Sequence, residues 1–257
     1  FNFFIGKLLL QEIKKGAWAK VYLVLWQSIF CMHCVLNFSE MERAKLKKLL
    51  LEFQVMKTGS QYEELRVKIG ESTVTLYTSG KLVIMGDDAE EVKEILIGKL
   101  GLKGETLLGI DETGRGENFG PFVVAAVLGN TIKMLGFRDS KKTRDIESME
   151  KAVLEAAEEH LVLEKGPAEI DLLRGKGKTM NAIEAEMIDE IAQNFRKKGF
   201  KGRILVDGKP LNAGIKGVEF KVKADDLNPV VGAASILAKA ARQKSKDNTK
   251  RKSWKNY

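Results

Sequence analysis

Two short apolar runs, separated by a glycine-rich segment in the middle of the chain, most constrain what this sequence can fold into. The first run is Thr106–Ile110 and the second is Phe122–Leu128. Runs this short and this apolar are typical of strands that are buried inside a sheet. Helical patterns follow at residues 144–159 and 181–198. Because strands and helices are interleaved, the sequence predicts an α/β layer structure.

Further elements follow toward the C-terminal end. Arg203–Val206 and Val218–Val222 are predicted to be strands, and Val230–Arg242 a helix whose small residues could pack closely on a sheet. His160 is expected at the end of a charged helix. The lysine-rich stretch Gln243–Tyr257 is almost free of apolar residues, which predicts a solvated or disordered basic tail.

Residues 41–100 predict a separate, small α+β domain. Its first helix is indicated by the apolar face that runs from Leu46 to Phe53, and strands are indicated by alternation such as that from Leu65 to Ile69. A second helical pattern closes this part of the chain. A linker rich in glycine and lysine then leads to the second predicted domain, at residues 105–242.

Residues 1–40 differ from the rest, and we treat them as an anomalous segment without an assigned function. The uncharged stretch Val21–Leu36 is shorter than the roughly 20 residues that a membrane-spanning helix needs, so no membrane association is predicted. Cys31 and Cys34 have only His33 and His160 as further histidine or cysteine ligands, which argues against a four-ligand zinc site. With only two cysteines, a reducing, cytoplasmic compartment is expected.

The overall composition is that of a globular protein with a polyanionic partner. Hydrophobic residues make up 44% of the chain, which is enough for a packed core. Lysine and arginine number 43 against 35 acidic residues, for a net charge of +8. A positive balance favours nucleic acid or an anionic membrane surface as the partner.

Acidic residues follow three of the predicted strands. Asp111 and Glu112 come directly after the first apolar run, and Asp207 and Asp225 follow later strands. Carboxylates gathered at one edge of a sheet are stabilised by divalent cations, and ligand sets made only of oxygen suit Mg²⁺ or Mn²⁺. Two such ions about 3.5–4 Å apart can support hydrolysis of a phosphodiester. The alternative is that these acids serve only as helix caps and turn residues.

Two other phosphate-binding motifs fit poorly. Gly114, Gly116 and Gly120 resemble a dinucleotide-binding fingerprint, but the last glycine comes one residue late and a strand follows where a helix is needed. Gly177-Lys178-Thr179 suggests a P-loop, but position 172, where the first glycine belongs, is leucine.

At these residues the sequence resembles a known family. The stretch Gly109–Pro121 closely resembles the opening motif of type 2 ribonucleases H, the family of ribonucleases HII and HIII. Tyr77–Lys81 resembles the N-terminal domain of ribonuclease HIII, which is similar to the TATA-box-binding fold. Further family motifs are matched in the right order by Asp139–Lys141, Val206–Gly208, Lys223–Asp225 and Ala233–Lys239.

The resemblance implies a fold and an activity. The fold would be an RNase H-like mixed sheet flanked by helices, and Asp111, Glu112, Asp207 and Asp225 would bind two Mg²⁺ or Mn²⁺ ions and carry catalysis. The enzyme would be a monomeric endonuclease that cuts the RNA strand of an RNA/DNA hybrid and leaves 5′-phosphate and 3′-hydroxyl ends. The family continues for several helices past Ala233–Lys239, so an incomplete catalytic domain is expected.

The resemblance also implies where substrate would bind. Gly114–Gly116 has the form found in ribonuclease HII, which reads the 2′-hydroxyl beside the cleavage site, so cutting at a single embedded ribonucleotide is a further hypothesis. The alternative from another class is a nucleic-acid-binding protein without catalytic activity. The predicted substrate-binding residues are Gly114, Arg115, Gly116, Lys141, Lys223, Ser235, Lys239, Tyr77, Ser79 and Lys81.

Overall fold

A computed structural model describes residues 33–137, 145–211 and 214–253, which fall into two compact units. Of the described residues, the first unit contains 33–35 and 40–101, and the second contains 36–39 and 102–253. Most of the anomalous segment, including Cys31, lies outside the described residues. Among the described residues, no helix is both long and apolar enough to cross a membrane.

The first unit is built on a five-stranded sheet with strand order β1-β5-β4-β3-β2. Strands β2 to β5 form an antiparallel meander, and two helices complete the unit. The predicted order of helix, strands and helix is therefore confirmed. Its elements are β1 (His33–Asn37), α1 (Glu40–Leu50), β2 (Gln54–Met56), β3 (Glu63–Ile69), β4 (Ser72–Tyr77), β5 (Lys81–Met85) and α2 (Ala89–Leu100).

Strand β1 adds an element at the sheet edge that the sequence patterns did not indicate. It pairs beside β5 and comes from the end of the anomalous segment. Cys34 of this strand is buried, and its thiol donates a hydrogen bond to Glu90 Oε1 at 3.0 Å. Residues 33–37 thus take part in the folded sheet.

The second unit contains a mixed sheet with strand order β10-β9-β6-β7-β8. Strands β10, β9 and β6 are parallel, whereas β7 and β8 are antiparallel to their neighbours. The α/β class with a mixed sheet and flanking helices is confirmed. Its elements are β6 (Thr106–Thr113), β7 (Phe122–Asn130), α3 (Ile146–Ala156), β8 (Glu159–Lys165), α4 (Pro167–Gly175), α5 (Met180–Lys197), β9 (Ile204–Asp207), β10 (Glu219–Lys221), α6 (Ala224–Leu227) and α7 (Pro229–Lys244).

Both faces of this sheet are covered, because the central strands are apolar on both sides. One face packs on α7 and α3, and the other packs on α5 and α4. Strand β7 shows the alternation, since successive side chains of a strand point to opposite faces. Its residues on the α7 side are Val123, Ala125 and Val127, and those on the α5 side are Phe122, Val124 and Ala126.

Gly109 sets how closely α7 approaches the sheet. A Cβ atom at this position would lie 2.7 Å from both the carbonyl carbon of Val230 and the nitrogen of Val231. Only a glycine in β6 therefore lets the first turn of α7 rest on the strand backbone. This contact lies two residues before Asp111 and fixes the helix over the end of β6.

The region from 157 to 175 was predicted incorrectly. His160 lies in the edge strand β8, because α3 ends at Ala156. The charged residues of β8 hid its strand character, although Leu161 and Leu163 pack on one face of the sheet and Val162 on the other. Helix α4, which begins with Pro167, was not predicted.

The described residues Ser245–Ser253, which we call the tail segment, are mostly exposed, but hydrogen bonds also anchor them to the rest of the second unit. Arg251 is 1% exposed, and its Nε donates to the carbonyl of Gly120 at 2.9 Å. The amide nitrogen of Gly120 in turn donates to the carbonyl of Thr249. Asp171 accepts hydrogen bonds from the backbone of Lys252 and from Ser253. The tail segment is anchored by hydrogen bonds of polar groups. Its hydrophobic pattern therefore could not predict that it is anchored.

Gly109→Ala should destabilise the protein, because the added methyl group overlaps the backbone of α7. We expect a loss of about 1–3 kcal/mol in the free energy of unfolding, the usual range for overpacking. Gly175→Ala is the matched control, since a Cβ there meets nothing within 4 Å. The control should be neutral or stabilising by up to about 1 kcal/mol. Equal denaturation midpoints for the two variants in urea would contradict the close packing.

Candidate metal centre

Asp111 and Glu112 point to opposite faces of the sheet, because both belong to strand β6. Leu107 of this strand packs with α7, whereas Leu108 and Ile110 pack with α5. By the same alternation Asp111 faces α7 and Glu112 faces α5. Asp111 is 6% exposed, and its carboxylate accepts a hydrogen bond from the hydroxyl of Ser235 in α7.

A hydrogen bond links Asp207 to Ala224, the residue that precedes Asp225. Asp207 ends β9, the parallel neighbour of β6, and its Oδ1 accepts from the backbone nitrogen of Ala224 at 2.6 Å. Ala224 begins the short helix α6, which carries Asp225. Lys223 before it has a φ of 59°, in the left-handed region. The carboxylate of Asp207 thus caps the turn that brings Asp225 into place.

Asp111, Asp207 and Asp225 form what we call the acidic cluster. One carboxylate oxygen from each lies within 4.8 Å of the others. Three predicted metal ligands from distant parts of the sequence therefore meet at one end of the sheet. Glu112 was predicted with them, but the structure places it outside this cluster, because its side chain leaves β6 on the α5 side.

The electrostatics of the cluster suit a divalent cation. Burial raises the pKa of Asp111 to about 7, and the carboxylates of Asp207 and Asp225 push it in the same direction. Hydrogen bonds from Ser235 and from the backbone of Glu112 only partly oppose this shift. A cation among these oxygens would relieve their repulsion, and an all-oxygen donor set fits Mg²⁺ or Mn²⁺.

Glu112 lies near a second charged group on the α5 side. Burial raises the pKa of Glu112, the Arg115 guanidinium lowers it, and Asp207 raises it further. Arg115 Nε lies 2.7 Å from Glu184 Oε2, and Arg115 also donates to the side chain of Asn181. Both partners belong to α5, so this helix contacts the predicted 2′-hydroxyl-reading segment.

The residues Gly114–Pro121 form the glycine loop, which connects β6 to β7. Gly114 has a φ of 80°, and a Cβ there would lie 2.4 Å from the carbonyl oxygen of Pro121. Arg242 of α7 holds the loop by donating to the carbonyls of Pro121 and Phe119 and to Glu117. Gly116 differs, since it is exposed and a Cβ there would meet no atom of the described residues within 4 Å.

The remaining predicted substrate-binding residues have varied surroundings. Ser235, which was predicted to contact phosphate, is 2% exposed and donates a hydrogen bond to Asp111. Lys239 is half-buried in a cleft that it shares with Thr113 and Arg242. Lys141 lies outside the described residues. Lys223, Ser79 and Lys81 are exposed, and Tyr77 is half-buried.

Sequence reasoning missed Glu184 and Arg242 as parts of this site. Glu184 had a detectable signal, because it occupies the same face of α5 as the buried residues Met187, Ile188 and Ile191. An acid on an apolar helix face requires a buried partner. Arg242 offered no comparable signal, since it lies in the last turn of α7 among other basic residues.

A comparison with protein families identifies this arrangement. Residues 108–256, more than half of the chain, match the family model described as Ribonuclease HII. The match includes all three residues of the acidic cluster. The chain belongs to the ribonuclease HII family. Type 2 ribonucleases H of this kind cleave the RNA of RNA/DNA hybrids with divalent metals.

Individual relatives include both branches of type 2 ribonucleases H. Ribonuclease HIII of Lysinibacillus sphaericus is 31% identical over 70% of this chain and 71% of its own length. Ribonuclease HII of Thermococcus onnurineus is 34% identical over 56% of this chain and 70% of its own. The crystal structure of Bst-RNase HIII in complex with Mn²⁺ matches 82% of this chain and 80% of its own, with a TM-score of 0.51 and 20% identity. That likeness supports the fold.

Asp111→Asn should change how the stability of the metal-free protein depends on pH. Because folding raises the pKa of Asp111 to about 7, the wild type loses stability as pH rises through that value. In EDTA at about pH 8 we expect the variant to melt higher than wild type by about 3 °C or more. Because the loss extends from the unfolded pKa near 4 to the folded value, the two should melt alike only at about pH 4 or below.

Circular dichroism melts over this pH range provide the measurement. Glu155→Gln is the control, because Glu155 is an exposed acid on α3. The control should follow the wild-type pH dependence. A difference between Asp111→Asn and wild type that stayed constant across the range would contradict the burial argument.

Proposed function

We propose that this protein is an endonuclease that hydrolyses the RNA strand of RNA/DNA hybrids and leaves 5′-phosphate and 3′-hydroxyl ends. The observation that carries the proposal is the acidic cluster, whose three carboxylates meet within 4.8 Å in the region that matches the family. Helix caps and turn residues have no reason to converge in this way, because like charges repel. The alternative of a non-catalytic binding protein is therefore less well supported.

We propose two divalent ions, Mg²⁺ or Mn²⁺, as the cofactors. Asp111 would contact both ions, while Asp207, Asp225 and Glu112 would share the other positions. Such ions promote the attack of water on phosphorus and stabilise the departing oxygen. Glu112 could contribute only from the α5 side of β6, so its contact with the ions is the least direct of the four.

Hydrolysis forms a bond from a water oxygen to phosphorus and breaks the bond from phosphorus to the 3′ oxygen. The chain itself must hold the carboxylates still while this exchange takes place. Ser235 and the amide of Glu112 donate to Asp111, and Ala224 donates to Asp207. These hydrogen bonds fix the acids before substrate arrives, which reduces the reorganisation needed during the reaction.

The glycine loop is our candidate for recognition of the ribose 2′-hydroxyl. The exposed Gly116, with open space where a Cβ would stand, lets a substrate approach the backbone. A 2′-hydroxyl can both donate and accept hydrogen bonds, and it distinguishes RNA from DNA. Backbone amide and carbonyl groups of Gly114–Gly116 could read it.

A cleft along α7 offers a binding place for backbone phosphates. It has a volume of about 410 Å³ and is lined mostly by polar and basic side chains. Lys239 extends into this cleft, one helical turn after Ser235. We propose that it contacts a substrate phosphate, which would fix the register of the duplex without reading sequence.

The first unit would bind the hybrid. Tyr77, Ser79 and Lys81 surround the tight turn between β4 and β5, in which the amide of Gly80 donates to the carbonyl of Tyr77. Lys81 is exposed and could contact phosphate, and Tyr77 could stack on a sugar or base. A monomeric state and a cytoplasmic location remain predictions from the sequence.

Asp111→Asn should abolish hydrolysis of a labelled RNA/DNA hybrid in Mg²⁺ or Mn²⁺. We expect kcat to fall by about 1,000-fold or more, because the charge that would hold the cations is removed. Glu155→Gln should retain wild-type activity. Cleavage that persists in EDTA, or full activity of Asp111→Asn, would contradict metal-dependent catalysis at the acidic cluster.

Tyr77→Ala combined with Lys81→Ala should weaken substrate binding more than turnover. We expect KM to rise about threefold to tenfold with kcat almost unchanged, since these residues would bind substrate and transition state equally. The salt dependence of KM should also become less steep as a phosphate contact is lost. An equal loss in kcat would argue against a binding role for this turn.

A further inference from the structure

Two side chains of α5 hold the arginine at the centre of the glycine loop. Glu184 contacts Arg115 Nε at 2.7 Å, and Asn181, three residues earlier on the same helix, accepts a hydrogen bond from Arg115 Nη2. Residues three apart on a helix share a face, so the two partners act from the same side. Thr179 caps the start of α5 with a hydrogen bond to Ala182, which fixes this end of the helix.

Glu184 has an unusual position for a charged residue. Its side chain is 7% exposed, and it lies on the face of α5 that packs into the sheet. The contact with Arg115 is an ion pair in which the N–H is not aligned for a hydrogen bond, since neither contacting atom has a hydrogen-bond partner among the described residues. Packing alone would place an apolar residue at this position, because burying a carboxylate is costly.

The two ends of the stretch Gly114–Gly116 differ in what fixes their backbone. Gly114 lies against Pro121 and Arg242, so packing determines its backbone. Gly116 is exposed and has open space beside it. Arg115 stands between these glycines, and its side chain reaches away from the acidic cluster to α5.

We propose that Glu184, together with Asn181, is a positioning residue that acts through Arg115 to hold the backbone of Gly114–Gly116 against the cleaved ribonucleotide. The inference rests on the proposed function and assigns a role to a helix that does not carry the metal ligands. Arg115 is thereby a structural anchor of the reading segment, directed toward α5. Its charge also lies between two carboxylates, those of Glu112 and Glu184.

Glu184→Gln tests the proposal, because it keeps the shape of the side chain and removes the attraction for Arg115. On a long RNA/DNA hybrid we expect kcat to fall about tenfold, since small errors in the placement of reacting groups lower turnover. KM should change by less than about threefold, because a long duplex makes many other contacts. The variant thus distinguishes a loss of turnover from a loss of substrate binding.

Thermal stability distinguishes positioning from a structural role. Burial raises the pKa of Glu184 to about 7, with Arg115 opposing the shift and Glu112 adding to it. Above that pH the ionised carboxylate therefore destabilises the folded state, and substitution by glutamine removes this charge. At about pH 8 Glu184→Gln should melt at the wild-type temperature or higher while it loses turnover. A lower melting temperature that accounts for the lost activity would overturn the proposal.

Glu186→Gln is the matched control. Glu186 lies two residues further along α5, is exposed, and pairs with Lys178. Its substitution should leave kcat and KM at their wild-type values. Equal activity of Glu184→Gln, Glu186→Gln and wild type would overturn the inference and leave the proposed function standing. Absence of hybrid cleavage by wild type would instead refute the proposed function.

A double variant tests whether Glu184 acts through Arg115. If it does, Arg115→Ala and the pair Arg115→Ala with Glu184→Gln should have the same kcat, within about twofold. If the losses of the two single variants multiply in the pair, Glu184 acts by another route and the proposal fails. Asn181→Ala should give a smaller loss in the same direction, and this loss too should vanish in the Arg115→Ala background.

Discussion

Repulsion among three carboxylates is the constraint on which the second unit depends. Asp111, Asp207 and Asp225 come from β6, β9 and α6, and the fold must hold them within 4.8 Å of one another. Parallel pairing of β6 with β9 aligns two of the elements, and the bond from Ala224 to Asp207 joins the third. The glycine at 109 then allows α7 to supply Ser235 as a donor. Each of these contacts opposes the separation that charge alone would favour.

The two neighbouring acids of β6 serve different sides of the sheet. Asp111 joins the acidic cluster under α7, whereas Glu112 lies near Arg115 and Glu184 on the side of α5. The glycine loop is held from both sides, by Arg242 of α7 and, through Arg115, by α5. Because Asp111 lies in β6 and Gly114 follows the last residue of this strand, the strand sets the spacing between the cluster and the loop. Recognition of the ribose and placement of the ions would therefore be coupled through β6.

Much of the fold was predicted from the hydrophobic pattern of the sequence, and the errors arose in elements that lack such a pattern. The apolar runs of β6 and β7 predicted a doubly covered sheet, and the small residues of α7 predicted close packing. Strand β8 was missed because it is an edge strand with charged residues. Convergence of three aspartates was predicted from their positions after strands, but the orientation of Glu112 toward α5 requires knowing that β6 continues through it. Glu184 could have been found from its apolar helix face.

The bond from Arg251 to Gly120 joins residues that are 131 positions apart in sequence. The glycine loop consequently receives one of its anchors only after nearly the whole described chain has been synthesised. A nascent chain can pair β6 with β7 early, yet it lacks the tail segment that closes over the loop between them. Assembly of the recognition segment is in this way tied to completion of translation through residue 251.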